Sequence, residues 1–438
     1  MVSRKTKKNE VLVCGLGKSG VATARLALAK GLKVSLCDSA SGAFDRKEVK
    51  DLLKAGAQAQ FLPILAEQRF EVCVMSPGVN PLNEIFKEAK KYSELIMGDL
   101  DFAAQFMPNT KFLAITGTNG KTTCAEMLEY SLLNLGLNAR ACGNIGIPLA
   151  ELALLDNQPE YALIEISSYQ IDLLYSLEFE AAVILNISED HIDRYGDFKT
   201  YYQSKMNIEK FSKILILQEG LKSSKQAQYF SNQNEIADFA IIGDDLSINK
   251  EQYKLPHLSF YGAHNRENAL AALALMSNQK INIPAALQAL STFTCSEHRL
   301  EECGQYSEVL YINDSKSTNP ASLAVALESF AAKNKKIVLI AGGRDKNMDL
   351  SVVNPLISKY VRKVFSYGEC KNKLKTLWQA FSPVKSCSDF DTAVLEAIKC
   401  STRGDVVLLS PGCSSLDLFK SYEERGRKFK SLVQKVNE

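Results

Sequence analysis

Short apolar, β-branched runs alternate with helix-spaced patterns along almost the whole chain. This alternation predicts α/β units with mostly parallel sheets. The runs fall into three series. The first contains Val11–Cys14, Lys33–Cys37 and Val72–Met75 and ends near Leu95–Asp99. The second starts with Phe112–Ile115, continues through Ala162–Glu165, Ala181–Leu185 and Ile214–Leu217, and closes with a helix near His264–Met276. The third contains Val309–Asn313, Lys336–Ile340, Lys363–Ser366 and Asp405–Leu409, followed by a charged C-terminal helix. Three domains are expected from this pattern, over residues 1–98, 99–296 and 297–438. The stretch Gln218–Leu258 is polar and weakly patterned, and no element is assigned to it.

Composition narrows the function classes. A chain of 438 residues exceeds a single hydrophobic core, in keeping with three domains. A net charge of +2 gives no global field to recruit nucleic acid or an anionic membrane, so phosphate handling must be local. No apolar stretch approaches the roughly 18 residues of a membrane span, and the basic start before Val11 reads as a solvated tail, its apolar run too short for a signal core. The 11 cysteines are scattered without a C-x-x-C pair, which suits reduced thiols in a cytoplasmic protein. Cys14, Cys37 and Cys73 sit on strand-like runs and read as packing.

Two glycine-rich loops carry the candidate chemistry. Gly15-Leu-Gly17-Lys18-Ser19-Gly20 follows the first strand and opens a helix, and Asp38 ends the second strand. The pattern suits a diphosphate resting on a helix N-terminus with an acid beside it for a ribose or a base. A redox cofactor, a nucleotide sugar and structural glycines all satisfy it. Ser39 adjoins Asp38, and Ser76-Pro77-Gly78 follows the third strand, where a turn would border the same crevice.

The second loop is Thr116-Gly117-Thr118-Asn119-Gly120-Lys121-Thr122-Thr123, between an apolar strand and a helix start. Backbone N–H groups there can wrap ATP phosphates, Lys121 can neutralise charge and the Thr122 hydroxyl can reach Mg²⁺. Ile115 stands where the strict P-loop pattern has its first glycine, which argues against an ordinary kinase or GTPase. An enzyme that consumes ATP on a nucleotide-linked substrate uses both loops. Near the second loop, Glu165 ends a strand, His191 lies in the acidic run Glu189-Asp190-His191, and Lys205 follows on a helix. Glu165 and Thr122 suit one hard cation and His191 a second; packing or capping explains His191 equally well.

Taken with Gly143-Asn144-Ile145-Gly146, Glu165-Ile-Ser167-Ser168, Glu189-Asp-His-Ile-Asp-Arg194 and His264-Asn265-x-x-Asn268, the loop 116–122 resembles the Mur ligase family of peptidoglycan synthesis across essentially the whole chain. The branch that joins D-glutamate to UDP-N-acetylmuramoyl-L-alanine fits best, through Gly15–Gly20, Asn313-Asp314-Ser315-Lys316-Ser317-Thr318-Asn319 and Ser410-Pro-Gly-Cys-Ser-Ser415-Leu416-Asp417. Ser317 and Gly412 stand where alanine is expected, and Tyr422 replaces a phenylalanine.

The resemblance implies a Rossmann-like N-terminal domain for the uridine substrate, a central P-loop-type ATPase domain and a Rossmann-like C-terminal domain for the amino acid. It implies a carbamate on Lys205, formed from CO₂, which with His191 holds one Mg²⁺ (or Mn²⁺) while Thr122 and Glu165 hold the other. Asn144 and Ser167 would face the muramoyl substrate or the phosphates, and Asn265 and Asn268 the adenine. Arg299 and Asp314 would hold the ribose and phosphates, and Lys316, Thr318, Lys346, Ser415, Leu416 and Tyr422 the D-glutamate. A monomer is expected, with its third domain closing over the second during turnover. Three other readings are set against this one: a sibling ligase for a different amino acid or for folate, an NAD-dependent oxidoreductase, and a non-catalytic nucleotide-gated binding module.

Overall fold

The computed structural model describes residues 7–40, 42–64, 69–258, 260–330 and 337–437. Of the expected N-terminal tail, residues 1–6 lie outside the described residues, and the first strand begins at Lys7. The chain is α/β throughout, with three sheets following one another along the sequence. The first two sheets lie in one compact unit (residues 1–256 and 267–290) and the third in another (residues 257–266 and 291–438).

The first sheet has five parallel strands in the spatial order Gln58–Ala59, Lys33–Cys37, Lys7–Cys14, Phe70–Met75, Ser93–Gly98. The chain works outward from Lys7–Cys14 to one edge and then returns to fill the other side. The order therefore reverses between Lys7–Cys14 and Phe70–Met75, and a crevice opens at their carboxyl ends. Cys14, Cys37 and Cys73 are buried on these strands, as the apolar pattern predicts.

The second sheet has nine strands. Lys111–Thr116 is the third strand from one edge, between Tyr161–Glu165 and Phe179–Ile184, and is parallel to both. Register pairs Ile115 with Glu165 and Thr116 with Ile184, so the loops after all three strands emerge side by side. The polar stretch that the sequence left unassigned forms the strands Gln228–Ser231, Phe239–Ile242, Asp245–Ile248 and Glu251–Lys254 at the sheet's edge, the last two antiparallel. Asp245–Ile248 buries Leu246 and Ile248 and alternates with more exposed positions, a pattern too short to read from sequence.

The third sheet has six strands. Its parallel core runs Val309–Asn313, Val406–Leu409, Ile337–Gly342, Val361–Tyr367, Val384–Ser386, and Glu301–Tyr306 joins one edge antiparallel. Apolar side chains cover both faces: Leu339, Leu374 and Trp378 pack on one and Phe365, Phe390 and Phe429 on the other.

Candidate active site

The loop after Lys111–Thr116 turns on two glycines. Gly117 has φ 152°, and a Cβ there would lie 3.2 Å from the backbone of Asn186. Gly120, at φ 85°, is the N-cap of helix Lys121–Asn134, and a Cβ there would meet the Asn268 carboxamide at 2.4 Å. The Thr118 amide donates to the Asn186 carbonyl at 2.9 Å, and the Asn119 amide to its side-chain oxygen at 2.8 Å. The Asn186 amide group donates back to the Asn119 carbonyl at 3.1 Å. Asn186, which ordinary sequence reading passes over, is thus the clamp that shapes the loop. Its only sequence signal is its position just past an apolar strand.

At the helix start, Lys121 folds back so that its Nζ donates to the carbonyls of Gly117 (2.8 Å) and Thr118 (2.9 Å). The first-turn N–H groups of a helix lack intrahelical acceptors, and here they flank that ammonium, giving a compact anion site. Thr122 Oγ1 donates to Glu165 Oε2 at 2.8 Å, while the Asn144 amide donates to Glu165 Oε1 at 2.8 Å. Glu165 is buried, so a carboxylate and a hydroxyl oxygen converge beside the loop, with the carboxylate steered by the Asn144 N–H. That all-oxygen donor set fits a hard divalent cation. Thr123 is buried in the first turn of the helix Lys121–Asn134.

Helix Phe198–Met206 brings Lys205 to the same place. Its side chain is only 2% exposed and makes no hydrogen bond among the described residues; its Nζ lies 5.1 Å over the Tyr201 ring. Burial, reinforced by the Lys121 charge, pushes its pKa down to about 7. Asp190, Glu165 and Asp172 oppose the shift only partly. Tyr201 precedes Lys205 by one helical turn and so shares its face. Its hydroxyl lies 3.1 Å from Thr118 Oγ1, and its ring also meets the His191 ring edge-on at 6.0 Å. His191 has φ 54°, a left-handed conformation, and its Nδ1 is 2.9 Å from the Tyr169 hydroxyl. Nε2 lies 3.6 Å from Asp190. Tyr169 also stacks under the Arg194 guanidinium at 3.8 Å. The structure therefore brings Lys121, Thr122, Glu165, Asn144, His191 and Lys205 around one loop, and adds Tyr169, Asn186 and Tyr201 to them. Ser167 lies nearby but is occupied: its hydroxyl and amide form a capping box with Gln170.

The first glycine loop borders a cavity of about 340 Å³. Every residue expected there from the first domain, residues 17–19, 38, 39 and 76–78, lines it, together with Val79, Asn83 and Ile85. Asp38 is already engaged, accepting from the Leu16 amide at 2.6 Å and the Ala40 amide at 2.8 Å. It shapes the loop before it meets any ligand. Lys18 donates to the Gly146 carbonyl, which ties this loop to the Gly143–Gly146 turn beside Glu165.

The adenine pair, Asn265 and Asn268, lies one turn apart on the helix Ala263–Asn278. A Cβ on Gly120 would meet the Asn268 carboxamide, and the Asn265 amide group donates to the Tyr261 carbonyl at 2.8 Å.

In the second unit, Asp314 accepts from Ser410 Oγ at 2.8 Å and from the Leu300 amide at 3.3 Å, and burial pushes its carboxyl up to about 7. Arg299 acts on it electrostatically. Lys316 lies 4.1 Å over the Tyr422 ring, so the aromatic replacement keeps a cation–π partner. Ser415 is buried, Thr318 half-buried, and Lys346 and Leu416 exposed. The two alanine departures adjoin: the Gly412 amide donates to the Ser317 carbonyl at 3.0 Å. Gly412 has φ 65°, which favours glycine, and the buried Ser317 hydroxyl has no partner among the described residues.

Arg425 is the residue most poorly signalled by sequence here, because it sits in a charged C-terminal helix that reads as surface. It is fully buried and forms no ion pair among the described residues. Its guanidinium donates to Ser315 Oγ (3.0 Å), the Ser315 carbonyl (2.8 Å), the Cys413 carbonyl (3.2 Å) and the Tyr367 hydroxyl (3.4 Å). It thereby ties together the loops that carry Lys316, Thr318 and Ser415.

Comparison with known proteins agrees with this geometry. The family model of the Mur ligase middle domain matches residues 115–276, and that of the Mur ligase glutamate ligase domain matches residues 298–413. The chain is 35% identical to the UDP-N-acetylmuramoylalanine–D-glutamate ligase of Koribacter versatilis, covering 98% of each chain. It is 32% identical to the enzyme of that name from Coxiella burnetii, covering 97% of this chain and 98% of that one. Among solved structures, the UDP-N-acetylmuramate-alanine ligase of Thermotoga maritima aligns over 98% of this chain and 99% of that one, with a TM-score of 0.59 and 18% identity. At that identity the likeness speaks for the three-domain fold.

Proposed function

The chain belongs to the Mur ligase family, and from that premise we infer that it is an ATP-dependent, ADP-forming ligase that adds D-glutamate to UDP-N-acetylmuramoyl-L-alanine in peptidoglycan precursor synthesis. Within the reading, residues 1–98 bind the uridine substrate, 99–296 bind ATP and 297–438 bind the amino acid. The observation that carries the chemistry is Lys205, a buried amine with a pKa near neutrality, set beside the Thr122–Glu165 pair at the rim of a phosphate loop. An amine of that kind is neutral enough at physiological pH to take up CO₂ as a carbamate, which would turn a cation into an anionic oxygen ligand.

A free carboxylate resists amine attack because charge and resonance make it a poor electrophile. Phosphorylation gives an acyl phosphate with a good leaving group, so the enzyme must present the γ-phosphoryl group to the L-alanine carboxylate. Lys121 and the first-turn amides hold the phosphates and stabilise the charge spread over the transferring group. Thr122, Glu165, His191 and the Lys205 carbamate would hold two Mg²⁺ ions, which neutralise phosphate charge when bound. Asn144 orients Glu165 through its 2.8 Å hydrogen bond. Lys316, Thr318, Lys346, Ser415, Leu416 and Tyr422 present the D-glutamate amine, with Lys346 pairing with a carboxylate. His191, fixed through Nδ1 by Tyr169, accepts the amine proton at Nε2 if a metal does not occupy that nitrogen. We place the reaction in the cytoplasm, where the free thiols of this chain stay reduced.

Phosphate release with UDP-N-acetylmuramoyl-L-alanine, measured with D-glutamate present, absent or replaced by L-glutamate, tests the assignment. Release is expected only with the D-isomer. Equal release with the L-isomer, or with neither, overturns it.

A further inference from the structure

Phe61 is 66% exposed, a large apolar ring left facing solvent in the first domain. It is not a loose one. Its ring centroid lies 5.3 Å from that of Phe44, with the planes tilted by 48°, and Phe44 packs against the core cluster that contains Leu16 and Leu36.

Two contacts fix where this ring stands. The strand Gln58–Ala59 runs parallel to Lys33–Cys37 with Ala59 beside Leu36, and the Gln60 amide continues the ladder by donating to the Leu36 carbonyl at 2.8 Å. Phe61 therefore comes level with Asp38, just past the end of the neighbouring strand and about 5 Å away at the backbone. Residues two apart on a strand share a face, so Asp38 continues the face of Leu36. Phe61 is on that face too, because its ring partner Phe44 packs against the cluster that holds Leu36. The short helical turn Ala43–Asp45 that carries Phe44 is tied to the glycine loop by the next residue, Arg46, whose guanidinium donates to the Leu16 carbonyl.

The order of groups along a nucleoside diphosphate matches the order of residues across this sheet. The glycine loop after Lys7–Cys14 suits the diphosphate, and Asp38, after the next strand outward, suits the ribose. The Asp38 oxygens accept loop amides at 2.6 and 2.8 Å, and each keeps a lone pair for a ribose hydroxyl. The lining of the cavity ends on this side with Asp38 and Ser39. A base on the ribose extends past them, and the next strand outward leads into Phe61.

We propose that Phe61, backed by Phe44, is the platform on which the base of the nucleotide substrate stacks. A planar base laid on the ring buries apolar surface that both otherwise expose to water. The Phe44 contact already restrains the Phe61 ring, so less rotational freedom is lost when the base arrives. Stacking needs only a flat ring, so Phe61 supplies affinity for the base while charge recognition stays with the glycine loop.

This inference rests on the reading of residues 1–98 as the site of the uridine substrate, and its test separates the two. Binding of UDP, and of inorganic pyrophosphate as its competitor, is measured on the intact enzyme by calorimetry. Phe61→Ala should weaken UDP about tenfold, the scale of one base–aromatic stack, and leave pyrophosphate unchanged. Phe61→Tyr keeps the flat ring and should restore UDP binding to within about twofold. Phe61→Trp places an indole at the platform. The one native tryptophan, Trp378, is fully buried in the other compact unit, so a fluorescence quench by UDP but not by pyrophosphate reports the base at this position. UDP binding that Phe61→Ala leaves intact, an equal loss of UDP and pyrophosphate, or an emission that saturating UDP does not change overturns the inference alone. Failure of the unaltered enzyme to bind UDP overturns the substrate reading, and this inference with it.

Discussion

Two segments of this chain look alike in sequence: a buried strand, a glycine-rich loop and a helix start, at Val11–Ala29 and again at Phe112–Asn134. The structure shows that their glycines do different work. In the first loop, Gly15 and Gly20 allow the chain to touch itself, since a Cβ on Gly20 would lie 1.9 Å from the Gly15 carbonyl oxygen. Its charged neighbours hold the backbone from outside: Asp38 accepts loop amides, and the Arg46 guanidinium donates to the Leu16 carbonyl. In the second loop, Gly117 and Gly120 make room for Asn186 and Asn268, and an ammonium is drawn in over the loop's own carbonyls. On the proposed reading, the first loop is the shaped surface that receives the diphosphate of the substrate. The second is a charge-handling site, with Thr122, Glu165 and Lys205 alongside. A shared sequence pattern thus specifies a shared backbone and leaves the chemistry to the neighbours.

The sharpest way to separate the two loops is to remove the second one's charge. Lys121→Ala is expected to lower kcat for phosphate release by about 10³-fold or more, the scale for losing a main electrostatic stabiliser of a transferring group. Binding of the UDP substrate, measured by calorimetry, should stay within about threefold. A comparable loss of UDP-substrate binding would mean the loops are not separable.

Lys205 tests the same contrast through titration. Lys205→Ala should abolish turnover, and added formate or acetate should partly restore it; full activity in the variant would remove its role as a ligand. The folded pKa of about 7 lies below the ordinary 10.5, so between these values the unfolded chain holds a proton that the folded chain does not. Stability therefore rises with pH across that window, and Lys205 burdens the fold most below pH 7. Lys205→Met should flatten this part of the stability profile in urea unfolding. An unchanged profile would contradict the buried amine.

Next in size comes a packing effect confined to the first loop. Gly20→Ala forces a Cβ against the Gly15 backbone and should destabilise by about 3 kcal/mol, the upper range for overpacking. Urea unfolding measures it; a neutral outcome would show that the loop and helix are not packed as described.

Much of this organisation is legible in the sequence, for physical reasons. Strands buried on both faces, such as Phe112–Ile115 and Ala162–Glu165, read as unbroken apolar runs, and a glycine run directly before a helix marks each loop. Edge strands were missed. Glu301–Tyr306 is half-exposed and charged, and Val384–Ser386 is too short to show a period. The site residues the sequence missed act through contacts far along the chain: Asn186 reaches back 67 residues to Asn119, and Arg425 reaches 110 to Ser315. Local pattern carries no record of such pairings. Lys205 stands out in the sequence, but its burial, which makes it chemically unusual, depends on the fold around it.

A smaller effect is expected at Asp38. Asp38→Asn keeps an acceptor for one of the two loop amides and loses the charge, so the UDP substrate should bind about fivefold more weakly, near 1 kcal/mol. The KM for ATP should not move. A shift in both constants would mean that Asp38 acts beyond its own loop.

The smallest effect sharpens the comparison most. Gly17 is the glycine of the first fingerprint that dinucleotide logic assigns to close approach of a pyrophosphate. In this chain it has φ −65°, an ordinary backbone conformation, and a Cβ placed on it meets nothing within 4 Å. The protein itself therefore has no need of glycine there. Gly17→Ala should change folding stability by no more than about 0.5 kcal/mol, the range of a surface substitution. Any loss must appear as weaker binding of the UDP substrate, because the methyl group would occupy ligand space alone. At Gly120 the same substitution meets Asn268 and strains a left-handed φ, so stability and ATP affinity should fall together. If Gly17→Ala instead destabilises the free enzyme, the first loop is as internally constrained at this position as the second, and the distinction between a surface shaped for a ligand and a site packed around a charge fails there.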